Sequence, residues 1–166
     1  MERQEQTAPD TVLTRIGQVV MLHHAGDREE ARHRFLDLWA EIGEHGDPLH
    51  RCTLAHYLAD TQDDPGDELA WDLRALTAAE ETSEDGLSSG EAVRAFYPSL
   101  HLNLAEDYLG LGQCDAARTH LRRARAAAAA LADGRYGDGV WAAIERLESR
   151  LDEGGGGAWT PPRQRP

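Results

Sequence analysis

The chain has 166 residues, enough for one domain with a core of its own, and at 40% apolar and 28% charged its composition is that of an ordinary globular protein. Its formal charge of −13 excludes non-specific binding to polyanionic nucleic acid and makes a charge-selected partner a basic one. All 17 basic residues are Arg, so chemistry that needs a Schiff-base, phosphate-loop or general-base lysine is excluded.

Residues 1–10 are polar and are expected to form a flexible N-terminus without the apolar stretch of a signal peptide. From Thr11, the positions Leu13, Ile16, Val19, Val20 and Met21 follow helical spacing. Asp27 then caps a second helix that carries Ala31, Phe35, Leu38, Trp39 and Ile42 and ends near Gly43. Asp47-Pro48 starts a third helix, with a capping acid followed by proline at the first helical position. Leu49, Leu54, Ala55 and Leu58 are its apolar positions. Asp64-Pro65 repeats the device for a fourth helix, expected to bury Leu69, Leu73 and Leu76 with Trp71 and to stop near Glu81.

The loop after it contains Gly86-Leu87-Ser88-Ser89-Gly90, which matches the G-x-S-x-G pattern of serine nucleophiles. That pattern needs a strand before it, and a helical then polar stretch precedes it here, so Ser88 or Ser89 reads as a helix N-cap. A fifth helix covers about Glu91 to Leu111, and Pro98 either kinks it or starts a new one. A sixth runs from Asp115 to about Leu131. DGRYGDG reads as a turn, and a seventh helix from Asp138 to about Leu151 carries Val140, Trp141, Ile144 and Leu147. Residues 153–166 are expected to form a disordered Gly/Pro-rich tail, leaving one helical domain over 11–152. No window gives a strand, and no apolar run approaches the ~20 residues that span a membrane. Cys52 and Cys114 are too far apart in sequence to suggest a redox or metal pair, so the expectation is a reducing, cytoplasmic protein.

Short antiparallel helix pairs suggest an internal repeat. In HLNLAEDYLGLGQCDAARTHLRRA, Leu104-Ala105, Tyr108, Gly112, Ala117, Leu121 and Ala124 fall at the spacing L-G-x2-Y…A-x3-F…A. This segment resembles a tetratricopeptide repeat, with His101 where that pattern has Trp and without its closing Pro. Leu54-Ala55, Leu58, Leu69, Leu73 and Leu76 give a weaker copy, and Gly26, Ala31, Phe35 and Leu38 a weaker one again. The resemblance covers roughly Thr11 to Leu131. It implies an all-α fold of about three antiparallel helix pairs stacked as a short right-handed solenoid, closed by the seventh helix as a cap. An irregular helical bundle is the alternative.

The resemblance also implies that the first helix of each pair lines a concave groove that binds a peptide or protein segment. The groove positions are then His23 or His24 in the first copy, Cys52, His56 and Asp60 in the second, and Leu102, Glu106 and Leu109 in the third, with Asn103 at its edge. Leu102 and Leu109 would anchor apolar side chains. His56, Asp60 and Glu106 would select polar or basic ones. Asn103 matches the Asn with which chaperone-type members hold a terminal carboxylate, but the lysines of that clamp have no counterpart. The expectation is a non-catalytic interaction module without a cofactor. The alternative is a metal- or small-molecule-binding protein, even an enzyme, built on Cys52, His56 and Asp60, which are spaced four apart on one helix face. The acids Asp63, Asp64, Asp67 and Glu68 read as helix-capping and helix-dipole residues rather than as a cation site.

Overall fold

A computed structural model describes residues 11–85, 95–130 and 134–156. Among the described residues there are seven α-helices and no strand. They are α1 (Thr11–His24), α2 (Arg28–Ile42), α3 (Pro48–Asp60), α4 (Pro65–Asp85), α5 (Tyr97–Gly110), α6 (Cys114–Ala130) and α7 (Gly134–Arg150). A π-helical turn, Leu151–Gly156, follows α7.

The two Asp-Pro start signals act as the sequence suggests, whereas Asp27 stands at the start of α2 without the expected side-chain capping hydrogen bond. The Asp47 side chain accepts from the backbone N–H of Leu49 at 2.7 Å and of His50 at 3.4 Å, which supplies acceptors for two otherwise orphaned donors of α3. Asp64 does the same for the N–H of Asp67 at 3.1 Å. Pro98 does not kink a longer helix: it lies in the first turn of α5, where its missing N–H costs nothing. Gly112, at φ 79°, makes the tight turn from α5 to α6 in a backbone region that favours glycine.

Adjacent helices pack in sequence order, and the core falls into three clusters. The first joins Ile16 and Val19 of α1 and Ala31, Phe35 and Leu38 of α2 to Leu54 and Leu58 of α3. The second joins Cys52 and Ala55 of α3 and Ala75, Leu76 and Ala79 of α4 to Leu100 and Leu104 of α5. The third joins Leu102 and Ala105 of α5 and Ala117, Leu121 and Ala124 of α6 to Ile144 and Leu147 of α7. Every cluster is thus shared by a helix pair and the helix after it. Ala55, Ala75, Ala105, Ala117 and Ala124 sit at these contacts, where a small side chain lets helices approach closely. Arg51 ties the two ends of the middle pair together, donating to the Gly46 carbonyl at 2.9 Å and to Glu81 at 2.6 Å.

Several expectations need correction. Helix α4 runs four residues past Glu81. Leu73 is 37% exposed rather than buried, because the buried stripe of α4 passes through Asp72, Ala75, Leu76 and Ala79. Met21, also expected on the apolar face, is 71% exposed. The segment read as a turn before α7 is helical from Gly134 onward. The helical path also continues through Gly156, beyond the expected domain end at 152. The GLSSG segment, the N-terminal ten residues and residues 157–166 lie outside the described residues.

His101 of α5 and His120 of α6 face one another with their Nδ1 atoms 3.1 Å apart, so one ring donates and the other accepts. Burial, the neighbouring His120 and Arg123 push His101 down to about 4, and burial and Arg123 also lower His120. A base held neutral in the fold gives stability that is full above pH ~6.5 and falls as acid protonates the unfolded chain first. His101→Phe is expected to flatten the loss of stability between pH 6.5 and about 4, read by denaturant melts across that window.

Phe35→Ala empties the centre of the first cluster and is expected to cost about 3–5 kcal/mol. Asp47→Ala removes only a cap and is expected to cost about 1 kcal/mol. Urea unfolding followed by circular dichroism measures both.

Candidate functional site

Helix α3 points His56 toward α5, where the imidazole Nδ1 lies 3.3 Å from Nδ2 of Asn103. Two residues expected in the groove, 47 positions apart, therefore meet. The amide nitrogen can only donate, so it fixes Nδ1 of His56 as the acceptor. Burial lowers the proton affinity of His56 while the nearby Asp60 opposes that shift, and the ring also packs on Tyr57 at 5.1 Å. Asp60 and Glu106 are exposed.

The other expected groove residues are distributed differently. Cys52 is 1% exposed and packed in the second core cluster, where burial pushes its thiol up to about 12. Such a thiol is neither a groove contact nor a ready metal ligand, which corrects its place in the groove and in the Cys52/His56/Asp60 set. Leu102 is buried in the third cluster and Leu109 packs against it. That cluster includes Ile144 and Leu147 of α7, so Leu102 offers no open apolar anchor, while Leu109 is half-buried. His23 is half-buried and His24 exposed at the end of α1, with ring centroids 6.0 Å apart, and no ion pair joins either to Asp60 among the described residues.

The densest chemistry lies one layer beneath Asp60 and Glu106. Glu68 and Asp72 stand one turn apart on α4 and face Asp107 of α5, with one carboxylate oxygen from each within 4.8 Å of the others. Asp72 is 2% and Asp107 8% exposed. Oδ1 of Asp72 and Oδ2 of Asp107 are buried with no donor to meet them. No ion pair reaches either residue among the described residues. The surrounding charges are also negative: Asp60 from α3, and Glu68 and Glu106 from α4 and α5. The nearest positive influences are Arg28 on Glu68, and Arg146 and Arg150 on Glu106.

Burial raises Asp72 from 3.8 to about 10, with the hydrogen-bonding and repulsion of Asp107 next in weight and the charges of Asp60 and Glu68 after that. Asp107 is raised as well, chiefly by burial and then by Asp60, while its contact with Asp72 works the other way. Each carboxyl therefore holds a proton more tightly than a free aspartate does, and the two titrate as a pair.

Asp72 and Asp107 were not singled out in the sequence. A signal for Asp72 existed: it falls on the stripe Leu69–Asp72–Leu76–Ala79, where helical spacing predicts an apolar residue. Asp107 occupies an unconstrained position of the repeat pattern, just before Tyr108, and carried no such signal. Glu68 departs from the reading of its acidic run: Asp63 pairs with Arg28 and Asp64 caps α4, but Glu68 joins the buried acids.

Comparison with family models, with characterised proteins and with solved structures yields no match for this chain. Among the described residues, no helix is long and apolar enough to cross a membrane.

The folded protein holds on Asp72 a proton that the unfolded chain releases above pH 3.8, so stability is full below that pH and declines as pH rises toward 10. Asp72→Asn keeps a donor for Asp107 without a titrating proton. It is expected to flatten the alkaline decline and to stabilise the protein at pH ~8 by on the order of 1–3 kcal/mol. Urea melts at a series of pH values in chelator-containing buffer measure this.

Proposed function

We propose that the chain is a non-catalytic, tetratricopeptide-like module whose groove binds a basic segment of a partner protein. Three core clusters, each bridging a helix pair and the next helix, support the solenoid reading. In that arrangement α1, α3 and α5 line the inner surface, and α7 covers the far end. The observation that carries the binding mode is the gathering of acids on this surface, which Arg28, Arg146 and Arg150 offset only in part. Burial raises the affinity of Glu68 for a proton, Asp107, Asp60 and Glu106 add to it, and Arg28 opposes them. An arginine or lysine from a partner relieves that repulsion, so the groove favours cations before any shape is matched.

The corrected positions change how the groove recognises its partner. With Leu102 buried and Leu109 half-buried, affinity rests chiefly on polar contacts from Asp60, His56, Asn103 and Glu106. Recognition is then sensitive to ionic strength, and basic side chains dominate the selected sequences.

Selection of a displayed random-peptide library at low salt is expected to enrich Arg- and Lys-containing segments. Their affinity, measured by fluorescence anisotropy with labelled peptides, is expected to fall at least about tenfold in Glu106→Arg and in Asp60→Arg. Selected sequences without basic enrichment, or affinities unmoved by both charge reversals, would remove the groove reading.

A further inference from the structure

We propose that Glu68, Asp72 and Asp107 form a binding site for one hard divalent cation, of the class of Ca²⁺, Mg²⁺ or Mn²⁺, held between helices α4 and α5. The site shares Glu68 with the groove wall but requires no peptide, so this proposal and the groove reading can fail separately.

Geometry comes first. One oxygen from each acid lies within 4.8 Å of the other two. Two oxygens bound to one Ca²⁺ at about 2.3–2.6 Å can stand at most about 5 Å apart, so small side-chain adjustments close the shell. The donors are all carboxylate oxygens, which suits hard cations and disfavours the thiolate- and imidazole-seeking metals. Glu68 and Asp72 come from the same face of α4 and Asp107 from α5, so ligation would bridge two helices.

The second observation is independent of the acidity. Asp72 and Asp107 are both more than nine-tenths buried, and each hides an oxygen that no donor reaches. Exposed acids gather on many surfaces without a ligand, whereas buried carboxylate oxygens without donors are costly. A cation satisfies both oxygens at once.

Access is also present. A cavity of about 340 Å³ is lined by Pro65, Glu68, Glu106, Asp107, Gly110 and Arg150. Glu68 and Asp107 form its wall, with Asp72 behind them, so a hydrated ion can enter and keep waters on its open side.

A proton and a cation compete for the same oxygens. Burial first, and then Asp107, Asp60 and Glu68, favour the protonated form of Asp72, and burial and Asp60 act on Asp107 in the same sense. Cation binding should therefore release protons and tighten with rising pH.

Isothermal titration of the chelator-treated full chain with CaCl₂, MgCl₂ and MnCl₂, each alone, tests the site. For at least one ion, one-to-one binding with a Kd below about 1 mM is expected, tighter at about pH 8.5 than at about pH 6. Asp72→Asn and Asp107→Asn should each weaken it at least about tenfold, and Glu145→Gln, an exposed acid on α7, should leave it unchanged. Because the Asn variants could perturb folding, Mn²⁺ broadening of backbone amide signals in the unaltered chain supplies a second reading. Broadening centred on residues 68, 72 and 107 supports the site. No saturable binding up to about 10 mM at either pH, equal binding in Asp72→Asn, or broadening centred elsewhere overturns it.

Discussion

No helix pair in this chain can bury its own apolar face. Leu54 and Leu58 belong to the core built around Phe35, while Cys52 and Ala55 of the same helix belong to the core of the next pair. Helix α5 is divided in the same way, with Leu100 and Leu104 turned back and Leu102 and Ala105 turned forward. A helix gripped on two sides has little freedom of rotation about its axis. This fixes which of its remaining residues can face elsewhere. On α3 they include His56 and Asp60, and on α5 they include Asn103, Glu106 and Asp107. The polar surface is set by what the cores leave over.

The same constraint explains which parts of the structure were legible in the sequence. Asp47-Pro48 and Asp64-Pro65 are local devices whose meaning lies within four residues, and they start helices where expected. Phe35, Leu54 and Leu121 are large apolar residues at helical spacing, and they are interior. Cys52 was misplaced because residues four apart share a helix face, but a face does not say which neighbour covers it. Leu102 was misplaced for a related reason: whether α7 closes over it depends on contacts some forty residues distant, which periodicity does not carry. Leu73 and Asp72 show the limit most plainly: the leucine expected inside is 37% exposed, while the acid beside it on the same turn is 2% exposed. Rotating α4 to expose Leu73 is what carries Asp72 inward.

That rotation has an energetic meaning. Leucine in the position of Asp72 would extend the stripe of Leu69, Leu76 and Ala79 and stabilise the contact of α4 with α5 through burial alone. The acid instead keeps a carboxyl out of water opposite another carboxyl, with no arginine paired to it among the described residues. Arg51 shows that the fold can pair a buried charge, since it meets both the Gly46 carbonyl and Glu81. The acidic pair is therefore a local exception to the way this chain handles buried charge, and such exceptions concentrate where a structure does more than fold.

The two layers of negative charge act on one another. Asp60 at the surface and Glu68 at the boundary raise the cost of ionising Asp72 below, Asp60 raises that of Asp107, and Glu106 acts on Glu68. By reciprocity, whatever neutralises the lower layer, whether a proton or a cation, weakens the field at the surface. In the groove proposed above, the buried pair would then set how strongly a basic segment is attracted. A proton carries one charge and a divalent cation two, so the ion reduces that attraction more than the proton it displaces. Occupancy of the lower layer and affinity at the upper one are linked by charge alone, and a change in backbone conformation is not required for the coupling.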